Sequence, residues 1–164
     1  YRFLLKNAKD LGKDDKDTYF FIFPDKSLKV VDNISKGNAK IVLKSDRLDS
    51  SLRKEIEIPI KQDDVEKMVS IFNDLGYKEI IKSFQKRHNF IYKGVEISLK
   101  HSNNWGFHLE MEIMLNDLTK KSFAEKKIFA VAEELGVHLL SEEELQKIIY
   151  GIEEKHRKAA ITLK

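Results

Sequence analysis

The chain has 164 residues, the length of one ordinary domain, and 35% of its residues are charged. Its 30 Lys and Arg residues nearly balance 27 Asp and Glu residues, so the net charge of +3 gives little support for binding to nucleic acid or membranes. The absence of cysteine excludes disulfides, thiolate catalysis and cysteine-ligated metal sites. No apolar run approaches the roughly 20 residues that cross a bilayer. We therefore expect a cytoplasmic protein with one domain over residues 1–164.

The first half of the chain predicts mainly short strands. β-Branched and aromatic residues are concentrated in four segments that turn-like clusters separate. These segments are residues 17–23, 27–32, 39–44 and 52–60. In the fourth segment, isoleucines alternate with Arg53, Glu55 and Glu57, so these three charged side chains share one face of the strand.

The second half combines helices and strands. Apolar residues recur at helical spacing over residues 63–75 and 123–135, and each run ends at a glycine. Three strands are predicted between them, at residues 80–92, 95–101 and 107–115, with a tight turn at Lys93-Gly94. A last helix begins at Ser141, where the Ser-Glu-Glu-Glu run has the form of a capping box. Strands followed by helices indicate an α+β fold.

The strand at residues 107–115 carries its charged side chains on one face only. His108, Glu110 and Glu112 alternate with Leu109 and the apolar residues that follow it. The same separation recurs on other strands, at Glu55 and Glu57 and at Lys40 and Lys44. An open sheet with one face in water would explain this pattern. A closed barrel with these faces inward would instead place carboxylates and cations around one cavity.

The order of these segments resembles the CYTH, or triphosphate tunnel, superfamily. The family's Asp-Thr-Tyr-Phe strand is present at residues 17–20, and its Arg-x-Glu-x-Glu strand is similar to residues 53–57. The family's closing strand pair matches residues 99–112 without a gap and keeps Leu99, Gly106, Glu110 and Glu112. Shorter similarities occur at residues 28–31, 42–44 and 85–90. The resemblance implies an antiparallel eight-stranded β-barrel with flanking and C-terminal helices.

The resemblance also implies roles for particular residues. Lysines and arginines would hold the phosphate chain, and carboxylate pairs would hold a divalent ion, Mg²⁺ or Mn²⁺. The expected phosphate-binding residues are Arg2, Lys29, Lys44, Arg53 and Arg87. The expected metal ligands are Glu55, Glu57, Glu110 and Glu112. The residues expected to act in catalysis are Glu110, Glu112, Arg87 and Lys44.

Several positions depart from the family pattern. Lys100 stands where the family usually has an acidic residue, and His108 replaces its phenylalanine. Val31 and Gln85 replace an arginine and a lysine. If Arg2 takes the place of the lysine in the family's opening Glu-x-Glu-x-Lys strand, the two glutamates of that strand would precede Tyr1.

Family members hydrolyse or cyclise triphosphates. We therefore expect a metal-dependent phosphohydrolase that acts on a nucleoside, thiamine or inorganic triphosphate. Two alternatives stay open: a class IV adenylyl cyclase that forms cyclic AMP and pyrophosphate from ATP, and a domain that binds nucleotide or polyphosphate without turnover. The expected partner is a polyanionic small molecule, with nucleic acid only as RNA 5′-triphosphate ends and no membrane. The sequence also leaves open a homodimer in which the closing helices pair.

Overall fold

A computed structural model describes residues 1–23, 26–45, 54–77 and 80–162 of the chain. The strands in these ranges are β1 (Lys9–Lys13), β2 (Lys16–Ile22), β3 (Lys26–Asn33), β4 (Asn38–Ser45), β5 (Glu55–Ile60), β6 (Ile80–Tyr92), β7 (Val95–Ser102) and β8 (Gly106–Glu112). The α-helices are α1 (Arg2–Asn7), α2 (Val65–Asp74), α3 (Lys121–Leu135) and α4 (Glu142–Thr162). Short 3-10 turns precede α2 and α3.

The strands form one antiparallel sheet in the order β5-β4-β3-β2-β6-β7-β8. β6 has 13 residues, and its first half pairs with β2 while its second half pairs with β1. Among the described residues, β5 and β8 are not hydrogen-bonded to each other, so the sheet is barrel-like but open. The predicted eight-stranded antiparallel sheet with flanking and C-terminal helices is therefore confirmed, and full closure of the barrel is not.

The turn between β6 and β7 follows from two residues with positive φ. Lys93 has a φ of 50° and Gly94 a φ of 71°. Two consecutive positive φ values are typical of a type I′ turn, whose twist matches that of the strands it joins. The turn therefore fixes the register of the two strands, which begins with Tyr92 opposite Val95.

The two clusters of buried apolar side chains lie on the outer face of the sheet, where helices cover them, while Val31, Val42 and Ile81 are buried on the inner face. One cluster packs β6 and β7 against α1 and α3, and contains Leu4, Phe90, Tyr92, Val95, Ile97 and Val131. The second packs β2, β3 and β4 against α2, and contains Tyr19, Phe21, Val30, Ala39 and Val65. Burial of apolar surface stabilises a fold by about 25 cal/mol per Å². Both hydrophobic clusters therefore stabilise the outer face, and the inner face carries most of the charged side chains described below.

The beginning of the chain differs from the sequence-based prediction. Residues 2–7 form helix α1, because Leu4 packs into the outer core with only 3% of its surface exposed. Arg2 therefore lies on a helix, and its placement on an opening barrel strand is wrong. β8 also ends at Glu112, three residues before the predicted end, and Met114 is 76% exposed.

The last helix begins as its sequence predicts. The backbone N–H of Ser141 donates to the Glu144 carboxylate at 2.7 Å, and the N–H of Glu144 donates to the Ser141 hydroxyl at 3.2 Å. These reciprocal bonds are those of a capping box. In the part of the chain that the structure describes, no helix combines the length and apolar character needed to span a membrane.

Candidate functional site

The inner face of the sheet carries a row of basic side chains, two of them charged, across β6, β7 and β8. Residues opposite each other in an antiparallel pair point to the same face. Arg87 on β6 is opposite Lys100 on β7, and Lys100 is opposite His108 on β8. The adjacent row is formed by Asn89, Ser98 and Glu110.

The inner face of β3, β4 and β5 is also charged. Ser27 on β3 is opposite Lys44 on β4, which is opposite Glu55 on β5. Lys29 and Glu57 lie one row away on the same face, on either side of Val42. β2 joins this face to that of β6, because its residue Lys16 is opposite Asn33 on β3 and Gln85 on β6.

The pKa of Glu110 shows that positive charges surround this carboxylate. Burial by itself would raise the pKa of Glu110. The charges of Lys100, Arg87 and Lys29 outweigh burial and hold that pKa at about 2. Glu110 is therefore ionised at neutral pH, although 42% of its side chain remains exposed in the open cavity.

The electrostatic interactions of the carboxylates on β8 agree with the curvature of the barrel-like sheet. In a flat sheet, β3 and β8 would be four strand spacings apart, or roughly 19 Å. Lys29 on β3 nevertheless acts on Glu110, and Lys44 on β4 acts on Glu112. The interaction between two charges weakens as their separation grows, so these effects require the two halves of the sheet to lie near each other. The two ends of the sheet therefore curve toward each other around one polar cavity.

Glu112 differs from Glu110 in its electrostatic environment. Burial raises the pKa of Glu112, and the negative charges of Glu110 and Glu96 raise it further. Lys44 and Arg87 oppose this rise without cancelling it. Glu112 therefore takes up a proton more readily than an ordinary glutamate.

Most of the glutamates predicted as metal ligands form ion pairs with lysines. The pairs are Lys44–Glu55, with 2.7 Å between Nζ and Oε2, Lys40–Glu57 and Lys100–Glu110. Each pair joins neighbouring strands on the inner face. These lysines supply positive charge at the places where a bound cation would supply it.

The described residues form no cluster of protein ligands for a divalent metal ion. Within the described ranges, no three His, Asp or Glu side chains are grouped so that they could hold one. The predicted ligands stand instead as two pairs on different strands, Glu55 with Glu57 and Glu110 with Glu112. The Lys100 ammonium group already lies against Glu110. Without a phosphate ligand to add further oxygens, these residues therefore form no ready-made site for the expected Mg²⁺ or Mn²⁺.

Asp14, which the sequence analysis did not single out, is a buried carboxylate that contacts residues of β2, β3 and β6. Its side chain is only 2% exposed, and its pKa lies well below its usual range because hydrogen bonds and charge from Lys16 and the other donors outweigh the opposing effect of burial. Asn33 and Asn89 donate to the Asp14 carboxylate at 2.7 Å and 3.0 Å, and Lys16, Lys36 and Arg87 form ion pairs with it at 2.8 Å, 3.0 Å and 3.5 Å. In the sequence it belongs to a Lys-Asp-Asp-Lys run, and nothing in that run distinguishes Asp14 from Asp15.

Arg87 is held in a fixed orientation on the inner face. Its Nη2 donates to the Ser98 hydroxyl at 2.7 Å and its Nε to the Asn89 side-chain oxygen at 3.1 Å. Its backbone N–H donates to the Asp15 carboxylate at 2.8 Å. Only 14% of the side chain is exposed. The guanidinium group is therefore preorganised for a ligand in the cavity.

The structure brings together most, but not all, of the predicted site residues. Seven of them lie on the inner face: Lys29, Lys44, Glu55, Glu57, Arg87, Glu110 and Glu112. Arg2 does not join them, since it lies on α1 with an exposed side chain. Arg53 lies outside the described residues.

Comparison with known proteins agrees with this arrangement. The sequence pattern of the CYTH domain matches residues 13–144, which include β2 to β8. This chain belongs to the CYTH domain family. A protein named putative adenylate cyclase from Methanocaldococcus jannaschii is 27% identical over 146 residues, which are 82% of each chain.

Solved structures support the fold of this CYTH chain. A protein from Pyrococcus horikoshii superposes with a TM-score of 0.69 at 23% identity, covering 84% of this chain and 85% of the other. A protein named putative adenylate cyclase from Vibrio parahaemolyticus also superposes with a TM-score of 0.69, at 18% identity, covering 91% of this chain and 89% of the other. At these identities the likeness bears on the fold alone.

Proposed function

We propose that this CYTH protein binds a triphosphate group on the inner face of its sheet and catalyses a reaction of that group. The observation that carries the proposal is the convergence of Lys29, Arg87 and Lys100, three cations from three strands, around Glu110 in one cavity. Glu112 and Asp14 also lie near these cations. A cluster of cations from separate strands in one cavity suits a ligand with several negative charges.

The residues on the inner face suit different parts of such a ligand. Arg87 presents a planar guanidinium group, which matches two phosphate oxygens at once. Lys29 and Lys44 reach the cavity from the opposite half of the sheet and supply point charges. We expect the phosphate chain to lie between these two groups of cations.

Hydrolysis is the first reaction that we propose. Water attacks a phosphorus atom, the phosphoanhydride bond breaks, and the bonding electrons leave with the departing phosphate oxygen. Preorganised cations stabilise the charge that develops on the phosphate oxygens. Glu112 is the candidate to accept the proton of the attacking water, since its pKa is raised by burial and by Glu110.

Cyclisation of ATP is the second reaction, and the name of the M. jannaschii relative favours it. The ribose 3′-hydroxyl would attack the α-phosphorus and pyrophosphate would leave. The same cations would bind the triphosphate in both reactions. Binding without turnover is the third candidate, favoured by the lysines that already pair with Glu55, Glu57 and Glu110.

The test is the release of phosphate and pyrophosphate from ATP, GTP, thiamine triphosphate and inorganic triphosphate, with Mg²⁺, with Mn²⁺ and with EDTA. We expect Arg87→Gln to lower the rate by about 10²–10³-fold, as loss of one electrostatic group does in other enzymes. Lys67→Gln is the matched control, because Lys67 is 71% exposed on α2 and pairs with Asp64 on the outer surface.

Each product points to one reaction. Phosphate release that Glu112→Gln abolishes supports hydrolysis, and pyrophosphate with cyclic AMP from ATP alone supports cyclisation. Binding without either product, measured as a rise in melting temperature, would leave the binding function and reject catalysis. If no triphosphate is bound or turned over, the proposed function is wrong.

A further inference from the structure

Lys100 lies in the middle of the charged inner face. Its ion pair with Glu110 does not by itself explain why a lysine is buried there. Its side chain is only 9% exposed and its Nζ contacts the Glu110 carboxylate. Arg87 is directly opposite it on β6, and His108 is directly opposite it on β8. A buried lysine at this position must be balanced by negative charge.

The balance around Lys100 is incomplete in the protein alone. Burial lowers the pKa of Lys100, and the positive charge of Arg87 lowers it further, while Glu110 and Glu112 oppose both effects without cancelling them. Arg87 also faces the negative charge of Asp14, but Lys16 and Lys36 share that carboxylate. The cations on this part of the face thus exceed the carboxylates that contact them, and a bound anion would lower the electrostatic cost of their proximity.

The position of Lys100 conflicts with a metal ion beside Glu110. Any cation that used Glu110 as a ligand would have to displace the Lys100 ammonium group or lie next to it, with Arg87 and Lys29 also nearby. Like charges at such distances repel strongly when they are shielded from water. Glu112 and Glu96 also lie on this face, but no three His, Asp or Glu side chains of the described residues are grouped so that they could hold a cation.

We infer that this protein binds a triphosphate without a divalent metal ion, with the Lys100 ammonium group bridging the phosphate oxygens and Glu110. The inference rests on the proposed function and deepens it, since it names the side chain that supplies the positive charge. Glu110 positions Lys100 through the ion pair. Lys100 is a binding residue, so we expect its substitution to weaken triphosphate binding in a protein that still folds.

The experiment is isothermal titration of the protein with inorganic triphosphate, in EDTA and again in excess Mg²⁺. We expect binding in EDTA at least as tight as binding in Mg²⁺. Lys100→Gln should weaken binding in EDTA roughly tenfold or more, because it removes a buried charged contact. Lys100→Arg, which keeps the charge, should retain metal-independent binding. Lys67→Gln, on the outer surface, should bind as the original protein does.

A gain-of-function variant makes the test sharper. Lys100→Asp would add a carboxylate to Glu110 and Glu112 on the inner face, and we expect it to bind triphosphate only when Mg²⁺ or Mn²⁺ is present. Thermal unfolding of each variant shows whether it is folded. If Lys100→Gln and Lys100→Asp do not fold, the comparison of EDTA with Mg²⁺ in the original protein and in Lys100→Arg still decides the question.

The outcomes separate the inference from the proposed function. Binding by the original protein in Mg²⁺ but not in EDTA would overturn the inference and leave the proposed function standing. Unchanged affinity in a folded Lys100→Gln variant would also overturn it, and would make the Lys100–Glu110 pair a structural contact. Absence of binding in both conditions would overturn the proposed function and, with it, the inference.

Discussion

The Asp14 carboxylate connects three strands of the inner face through its contacts with Lys16 on β2, Asn33 on β3, and Arg87 and Asn89 on β6. A buried carboxylate with this many donors is stable only as the anion, and the donors in turn depend on it. At the scale of single residues, this carboxylate therefore couples the stability of the fold to the orientation of Arg87.

Asp14→Asn tests this coupling. The variant keeps the size of the side chain but leaves Lys16 and Arg87 without a buried negative partner, so we expect the free energy of unfolding in urea to fall by about 3–5 kcal/mol. Asp74→Asn, on the exposed surface of α2, is the control and should change it by less than about 0.5 kcal/mol. Equal unfolding midpoints for the two variants would contradict the role given to Asp14.

The depressed pKa of Glu110 predicts a loss of stability in acid. A carboxylate whose pKa is lower in the folded than in the unfolded protein stabilises the fold above its unfolded pKa, and that stabilisation is lost as the pH falls. For Glu110 the loss falls between the ordinary value of 4.5 and about 2, and Asp14 acts in the same direction. Glu112, with a raised pKa, acts in the opposite direction.

Thermal unfolding between pH 7 and pH 2.5 measures this effect. We expect the melting temperature to fall below about pH 4.5, and to fall less steeply in Glu110→Gln, which binds no proton in this range. The difference is reduced by solvent screening, because the Glu110 side chain is 42% exposed. An identical pH profile for Glu110→Gln would show that Glu110 is not stabilised as the anion.

Helix α3 is stabilised both by the packing of its buried face and by the glycine cap at its C-terminal end. Val131 is buried in the outer core, and Gly136 ends the helix with a φ of 64°. The N–H groups of Gly136 and Val137 donate to the carbonyls of Glu133 and Ala132 at 3.0 Å, which satisfies the last turn. The sequence predicted this end because glycine is the residue that adopts this conformation at little cost.

A pair of glycine substitutions tests the end of α3. Gly136→Ala should lower the free energy of unfolding by about 1 kcal/mol, because an L-residue is strained at this positive φ. Gly151→Ala, inside α4 with no atom close to its new methyl group, should leave stability unchanged or raise it by up to about 1 kcal/mol. Equal effects of the two substitutions would mean that the conformation of Gly136 has been misassigned.

At the scale of the whole molecule, the strands and the division of the sheet into a charged and an apolar face could be predicted, because both follow from the residue pattern within each strand. Alternation of charged and apolar residues in β5 and β8 assigns each side chain to a face without knowledge of its neighbours. The strand boundaries of β6 and the helical periods of α2 and α3 agree with the structure for the same reason. The capping box at Ser141 is equally local.

Helix α1, the role of Asp14 and the Lys100–Glu110 pair could not be predicted, because they depend on contacts between distant parts of the chain. Helix α1 has only six residues and is held by the packing of Leu4 on β6 and β7, so its sequence did not separate it from a strand. Asp14 acquires its role from donors on β2, β3 and β6. The pairing of Lys100 with Glu110 requires the register of β7 and β8, which no single strand reveals.

The central claim, that the inner face binds a triphosphate, is tested most directly by a crystal structure with inorganic triphosphate bound. We predict density for the phosphate chain inside the curved sheet, with oxygens contacting Arg87 and Lys100 on one side and Lys29 or Lys44 on the other. Density on the outer surface, for example beside Lys61 and Lys67 near α2, would contradict the claim, as would an empty inner face in a protein that binds the ligand in solution.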